Sequence, residues 1–419
     1  MPRSRFVPAL LRMPDFRRFW IGQTISVIGD QVALVALPLT AVIVLQADAA
    51  QMGLLTAAAL LPHLLFSLPA GVWLDRVPRR RRLMIAADLG RAILGASIPI
   101  AWLAGVLTLE QLFVVGFLSG SLSVVFDILW ATIFVSVAPR ERYVEGNTLL
   151  SGSRSIATVA GPTISGGLVQ ALGAPIAILV DAASFVASAF SLARIQSPEA
   201  PVEPDDARLG ERLTAGLRFI FGDSIVRTTL LAAGTINFFN YGFAALFILY
   251  ATTALGVSPG ILGLVLGSAA VGGVVGAVIA AGVGRRLGLG RAFALGCVLF
   301  PAPLIIVPLV GDAGAPVILA GLFVAEFGAG IGVMILDVNV GAVLLARTPD
   351  RIRARAGGAF RFVNYGIRPI GALVGGLLGS TFGVRETLFV VTIGALLGGL
   401  WLIRSPILRL RDLPEAADG

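Results

Sequence analysis

The sequence predicts an all-α integral membrane protein with twelve transmembrane helices in two six-helix halves. Three observations predict it. Of 419 residues, 57% are hydrophobic and only 13% are charged, whereas soluble chains carry about 25% charged residues. Apolar runs of membrane-spanning length recur along nearly the whole chain, and the mean hydropathy is +0.91. Marked residues of the first half also recur 210 positions later in the second. A water-soluble fold could not cover this much apolar surface, so the expected solvent is a bilayer.

A span needs about 20 mostly apolar residues. Runs of that kind, ended by Arg, Pro or Gly-Asp clusters, place spans at 19–45, 52–74, 83–106, 111–137, 146–171 and 175–194 in the first half. The second half has them at 228–254, 259–283, 291–311, 315–346, 361–382 and 386–403. The tenth run is longer than a bilayer requires, so part of it projects or tilts. Residues 1–18 hold five Arg and too short an apolar run for a cleavable signal peptide, so span 1 is read as both signal and anchor.

Arginine placement orients these spans. The N-terminus, every second loop, the central segment and the C-terminal tail together carry 28 of the 32 basic residues, all of them Arg. The opposite loops are short and hold Arg385 beside Asp48, Glu110, Asp312 and Glu386. The positive-inside rule then puts both termini in the cytoplasm, and the Arg-only basic set with Ala and Gly richness suggests a GC-rich bacterium, whose inner (plasma) membrane is the expected location. The net charge of +8 is read as this topology signal, and no nucleic-acid partner is expected.

Between a first half at 1–194 and a second at 228–419 lies a polar segment, 195–227. Its first part, Gln196 to Ala207, has three Pro and four acids and reads as a linker. The second part spaces Leu209, Leu213, Leu217 and Ile220 helically, opposite Arg208, Glu211, Arg212 and Arg218. That pattern predicts an amphipathic helix lying in the cytoplasmic interface as a tether.

The 210-residue offset puts Gly53 on Gly263, Gly120 on Gly330, Asp127 on Asp337, Pro139 on Pro349, Gly161 on Gly371 and Gly173 on Gly383. A shared intramembrane Asp and a shared loop Pro at one constant offset indicate an internal duplication. Duplicated halves of this kind hold a site near the membrane midplane and rock around it.

The residue inventory removes several chemistries. Without Lys there is no Walker A phosphate loop and no Schiff-base lysine. One His, His63, and one Cys, Cys297, exclude internal disulfides and the usual His/Cys metal sites, so neither a metal nor a cofactor is expected. No nucleophile–base constellation stands out, and an enzyme is not expected.

Charges inside the spans are the candidate chemistry. Asp30, Asp127, Asp181, Glu326 and Asp337 lie well within predicted spans. Each ionised carboxylate at mid-bilayer costs roughly 3 kcal/mol. Five together rival the whole stability of a domain, about 5–15 kcal/mol. They must face the protein interior, find partners or bind protons. Arg154 and Arg368 are the expected partners in a network with Asp127, Asp181 and Asp337. The duplicated Asp127 and Asp337 are read as structural ion pairs, and Asp181 as a packing or pairing residue. His63 follows Pro62 and is read as structural, and Cys297 as apolar packing. Asp30 and Glu326 have Asn240 and Gly116 as their images, and residues unique to one half suit an asymmetric task such as proton binding. Helical spacing groups Gln23 and Ser26 with Asp30 on span 1, and Asn237, Asn240 and Tyr241 on span 7. Polar, small stripes run along span 5 (Asn147, Ser151, Arg154, Thr158, Gly161) and span 11 (Arg361, Asn364, Tyr365, Arg368).

Two motifs point to a family. The loop after span 2 reads Gly71-Val72-Trp73-Leu74-Asp75-Arg76-Val77-Pro78-Arg79-Arg80-Arg81. It resembles the cytoplasmic loop signature of the major facilitator superfamily, with Pro78 in place of a glycine. Span 5 carries Gly161-Pro162-Thr163-Ile164-Ser165-Gly166-Gly167. This resembles the Gly-Pro, two residues, Gly-Gly motif of drug/proton antiporters, with Ser165 for one Gly. Ser26 to Asp30, Phe126-Asp127 and Gly216 to Ile220 are similar to segments of the exporter group that includes enterobactin exporters and macrolide efflux proteins. The resemblance covers nearly the full chain.

The resemblance implies the major facilitator fold, with spans 1, 4, 7 and 10 lining the cavity. It implies a secondary transporter that exports a small, partly apolar compound by proton antiport, with membrane lipids around it and a monomeric chain. Asp30 and Glu326 are then proton-coupling candidates. Gln23, Asn237, Asn240 and Tyr241 are cavity candidates, with Phe238, Phe239 and Phe243 near the span 7 wall. Gly71, Asp75, Arg76, Arg79 and Arg80 form the expected cytoplasmic gate, where Asp75 caps the Arg cluster and pins helix ends together. Uptake or proton-independent diffusion, a non-transporting receptor and a lipid-acting enzyme remain as alternatives.

Overall fold

The computed structural model describes residues 8–75, 77–199, 209–403 and 405–410, with the side chains at 68, 71, 72, 75, 209–212, 351 and 354 outside that description. Of the expected gate, Arg76 and the side chains of Gly71 and Asp75 therefore lie outside the described residues.

All regular structure among the described residues is helical. Helix α1 (Pro14–Leu39) begins five residues before its predicted span. Pro14 fits the first helical turn and Asp15 faces the positive end of the helix dipole. The helices α2 (Ala49–Asp75), α3 (Arg80–Leu103), α4 (Leu109–Val137), α5 (Tyr143–Leu172) and α6 (Ala174–Ala193) follow. Thr108 caps α4 by accepting from the Gln111 N–H at 3.3 Å. The amphipathic segment forms α7 (Leu209–Gly222), then α8 (Ser224–Leu249) and α9 (Pro259–Leu287). The ninth predicted span is broken: α10 (Leu289–Leu299) stops ahead of Pro301, and a 3₁₀ turn leads to the short α11 (Ile306–Leu309). Proline lacks the N–H that a continuous helix needs there. The chain ends with α12 (Ala315–Arg347), α13 (Arg353–Phe382) and α14 (Val384–Leu396).

Ten of the helical segments are long and apolar enough to cross a membrane. The sequence reading expects twelve spans. The two that fall short are α5 and α13, each of 30 residues. Length is not their limit. In α5 the Gly, Ser, Thr and Gln residues of its second half lower the hydropathy, and in α13 Arg368 does.

Helix boundaries recur at the offset read from sequence. Positions 14–39 and 224–249 are helical, and each is followed by a π turn, at Thr40–Val44 and Tyr250–Ala254. Positions 143–172 and 353–382 correspond in the same way. Backbone strain recurs too. Gln46 and Gly256 take φ of 53° and 64°, and Gly173 and Gly383 take 84° and 97°. The last two form one-residue turns between helices, a conformation open to glycine.

The chain packs as two compact units: residues 1–46 with 58–206, and residues 47–57 with 207–419. In unit 1 the α1–α6 and α3–α6 seams are the most extensive. A cluster including Phe16, Phe19, Met84, Phe134 and Leu192 closes its Arg-rich end. Beside that cluster, Asp15 accepts from the Ser197 N–H (2.7 Å), the Ser197 hydroxyl (2.7 Å) and the Gln196 N–H (3.0 Å). Arg18 donates to the Arg194 carbonyl at 2.7 Å and Arg81 to the Ile195 carbonyl at 2.6 Å. The start of the linker is thus bonded to the ends of α1 and α3.

Unit 2 relies on glycine-mediated close approach. Gly371 of α13 lies directly on the Phe238 backbone of α8, and Gly330 of α12 on the Ala269 carbonyl of α9. Small residues allow such contact where lipid supplies no hydrophobic drive for helix association. The first turns of α2 pack here as well, with Gly53 against Gly376 and Ala57 against Ala245 and Ala372.

The α7 helix lays its apolar face on α8 and α13. Its apolar side chains Leu213, Leu217 and Ile220 join a core with Leu230, Ala233, Ala359 and Phe360. Gly216 touches the Arg355 carbonyl and the Ala359 methyl of α13. Asp223 caps α8 at the Ile225 (2.9 Å) and Val226 (3.0 Å) N–H groups and pairs with Arg347 at 2.7 Å. A Gly216→Leu change should therefore overpack this seam at a cost of about 1–3 kcal/mol. Limited trypsinolysis checks it: cleavage at Arg218 should accelerate in Gly216→Leu but not in Gly222→Ala, where a Cβ meets open space.

Candidate functional site

Each long helix of unit 1 carries an ionisable side chain well inside its length: Asp30, His63, Asp88 with Arg91, Asp127, Arg154 and Asp181. The order along the chain follows α1 to α6, so the helix packing of the unit gathers them.

The tightest interaction is one that the sequence reading passes over. Asp88 and Arg91, one turn apart on α3, form an ion pair with side-chain exposures of 0% and 5%. The Arg91 guanidinium lies between two rings, 4.6 Å from the Phe126 centroid and 4.1 Å from that of Phe185. It also donates to the Ser123 hydroxyl at 3.3 Å. Gln23 of α1 donates to the Ser188 hydroxyl of α6 at 3.5 Å, and Asp88 Oδ2 has no hydrogen-bond partner. An acid and an Arg at i and i+3 in an otherwise apolar span were the available signal.

Around this pair, the other charges differ in access. Asp30 is exposed, and Asp127 keeps 71% side-chain exposure. Asp181 is buried at 6% exposure, with Oδ1 lacking a hydrogen-bond partner. Arg91, Asp127, Asp88 and Arg154 all act electrostatically on Asp30. His63 approaches the Asp127 carboxylate, with Nε2 to Oδ2 at 4.0 Å, and Arg91 and Arg154 also act electrostatically on it. His63, expected from sequence to be structural, therefore sits beside this carboxylate. Arg154 is exposed and borders a small cavity of about 20 Å³ with Gln23, Thr24 and Trp130.

Gln23 and Ser26, placed with Asp30 on one face by spacing, are buried at 6% and 4%, and Gln23 reaches Ser188 of α6. The antiporter-like motif packs on the same helix. Gly161 lies against the Gln31 side chain, and the Ser165 hydroxyl donates to the Gln31 carbonyl at 2.9 Å. Pro162 and Gly166 are buried, and Gly167 faces open space. The Ser that replaces a motif Gly therefore bonds directly to the backbone beside Asp30.

In unit 2, Arg368 donates to the Tyr241 hydroxyl at 3.0 Å and stacks 3.9 Å from the Tyr365 centroid. It acts electrostatically on Asp337, which is exposed. Asn237 donates to Asn364 at 3.1 Å, while Asn240 is half-buried. Glu326 is half-buried on α12. Phe239 packs its ring on Gly394, and Phe243 is buried against Phe247, so these aromatics serve the helix seams.

Of the expected gate, Arg79 is exposed ahead of α3 and Arg80 is buried at 8%. The Arg80 N–H donates to Glu199 at 2.7 Å, supplying the cap that Arg79 does not provide. Among the described residues no cluster of His, Cys, Asp and Glu could hold a metal ion.

A family model described as Major Facilitator Superfamily matches residues 19–368 and 229–417. The chain is similar to the multidrug efflux pump Tap of Mycobacterium tuberculosis, 28% identical over 93% of each chain. It is similar also to Tap of Mycolicibacterium fortuitum, 27% identical over 92% of this chain and 94% of that one. Among solved structures, a bacterial homologue of the human lysosomal transporter Spinster matches with a TM-score of 0.73 at 14% identity, covering 96% and 98% of the two chains.

Proposed function

The chain belongs to the major facilitator superfamily, and from that premise we propose that it exports a small, partly apolar compound by proton antiport with alternating access. Drug-like molecules, siderophores and secondary metabolites are the substrate class. It works in the bacterial plasma membrane as a monomer, with both termini in the cytoplasm. Its twelve helices cross as two six-helix halves joined by residues 195–227, and the recurrence of helix boundaries at one offset supports this.

The observation that carries the reading is the set of carboxylates inside the apolar helices of unit 1, led by the exposed Asp30. A static scaffold gains nothing from charges that cost roughly 3 kcal/mol each in a bilayer. A carrier that must bind and release a proton needs such groups. Asp30 is the principal proton carrier, and Glu326 is the alternative candidate for that role. Similarity to multidrug efflux pumps supports the export direction and the breadth of substrate.

The test loads inside-out membrane vesicles with an imposed proton gradient and follows a panel of fluorescent apolar dyes. Gradient-dependent accumulation that collapses with a protonophore supports the reading. Equal accumulation with and without the gradient contradicts it and favours a facilitator.

The gate reading gives a separate expectation. Asp75 at the head of the Arg cluster is a latch that opens with the transport cycle. Asp75→Asn should leave membrane abundance near wild type and reduce dye efflux at least tenfold, about 1.4 kcal/mol of transport barrier. Wild-type efflux at wild-type abundance would mean that the cluster serves topology alone.

A further inference from the structure

Asp181 is the buried charge that neither the fold nor the exposed carboxylates account for. It lies on α6 at 6% exposure, and its Oδ1 has no hydrogen-bond partner. That oxygen is 3.0 Å from where a Cβ on Gly29 would sit, so it reaches the α1 backbone immediately before Asp30. Asp30 acts electrostatically on Asp181.

The charges in this seam do not balance. Asp88 and Arg91 neutralise one another in a pair held by Phe126, Phe185 and Ser123. Asp181 then has no cation of its own. The groups that face it are Asp30 from α1 and Asp88 and Arg91 from α3. From α5, the third helix packed on α6, the charged side chains are Glu145 and Arg154. The other titratable groups of these helices gather at the Arg-rich end: Asp15, Arg17 and Arg18 on α1, Arg80 to Arg82 on α3, and Tyr143 with Glu145 on α5. An ionised carboxylate buried without a partner costs several kcal/mol, so such a group rests neutral instead.

The second half shows that the fold does not need this acid. At the 210-residue offset, Asp181 becomes Val391, Asp88 becomes Val298 and Arg91 becomes Pro301. Gly29 packs on Ser184 in unit 1, while the corresponding Phe239 packs its ring on Gly394 in unit 2. One seam is filled by a phenyl ring. The other keeps a glycine, a serine and a carboxyl in the same space.

We propose that Asp181 is a second proton-binding carboxyl, acting with Asp30 across the α1–α6 seam, beside an Asp88–Arg91 pair that stays ionised. This deepens the proton-antiport reading and rests on it. Each carboxyl binds a proton of its own, and the one on Asp181 is held out of reach of bulk water while Asp30 changes surroundings.

The experiment counts protons without substrate. Purified full-length protein in unbuffered detergent is taken from acid to base between about pH 5 and 8, where carboxyls of this kind must exchange to be useful, and a pH dye reads the release. Asp181→Asn should assemble normally, because Asn is the neutral isostere of a protonated Asp, and should release about one proton fewer per chain than wild type. Asp30→Asn with Asp181→Asn together should release about two fewer. An unchanged release in Asp181→Asn overturns the proposal. So does failure of Asp181→Asn to assemble where Asp181→Glu does, because the negative charge itself would then be required. The count needs no transport, so it can fail while gradient-driven export stands, and export can fail while the count stands.

Discussion

Asp30→Asn should abolish uphill export while leaving downhill exchange of the same dye measurable. Asn keeps the size and polarity of the side chain but cannot bind or release a proton. The position favours this role: Asp30 is exposed, yet Arg91, Arg154, Asp88 and Asp127 all act on it. Small changes in helix placement therefore alter the balance of charge around it. A membrane potential of 100 mV contributes about 2.3 kcal/mol per proton moved. That corresponds to well over tenfold accumulation of a neutral compound, since about 1.4 kcal/mol is a factor of ten. Loss of proton binding removes this entire contribution. The accumulation ratio in vesicles should fall from well over tenfold to about one. A wild-type ratio in Asp30→Asn would transfer the assignment to Glu326, with Glu326→Gln as the next variant.

The second large effect is on assembly. Arg91→Ala should reduce the thermal stability of unit 1 more than any exposed Arg change. The substitution leaves Asp88 buried at 0% exposure without a counter-ion and removes the guanidinium from between Phe126 and Phe185. Removing one partner of a buried pair costs about 3–5 kcal/mol, a large part of a typical stability of about 5–15 kcal/mol. Arg91→Lys should rescue incompletely, because an ammonium lacks the planar face that stacks on both rings. Asp88→Val with Arg91→Leu should recover stability toward wild type, since an apolar replacement of a buried pair is often neutral or stabilising. Melting curves by fluorescence-detected size exclusion provide the readout. A double variant no better than either single variant would show that the pair has a further partner.

These expectations rest on residues that the sequence reveals unequally. Apolar runs, Pro and Gly breaks and the 210-residue offset indicate the helices closely, because hydropathy is a sum over many residues and tolerates local exceptions. The break at Pro301 follows from proline chemistry, but whether a chain kinks or stops there depends on tertiary packing. The same limit applies to α7. Amphipathic spacing identifies an apolar face, yet nothing local says whether lipid or α13 covers it. The Gly216 contact with Arg355 settles that only once the helices are placed.

The candidate site divides along the same line. Asp30, Asp127, Asp181, Glu326 and Asp337 stand out because each is a charge in an apolar run. Asp88 and Arg91 do too, but a close acid–Arg pair in a helix has the same spacing at a surface as in a core. Partner choice was the least legible. Asp127 meets His63 at 4.0 Å because α2 and α4 approach near those positions, a tertiary fact with no local signature. Gln23 and Ser26 share a helical face with Asp30, but helix packing buries the first two and leaves Asp30 accessible.

The central claim is that substrate and proton move in opposite directions through this chain. It is tested most directly in proteoliposomes with a lumenal pH dye, the membrane potential clamped and no pH gradient imposed. An exported dye is added outside and allowed to enter down its gradient. Antiport predicts that the lumen becomes more alkaline as dye enters, with a stoichiometric ratio that Asp30→Asn abolishes while dye exchange continues. Dye entry with no lumenal pH change, or with acidification, would contradict it.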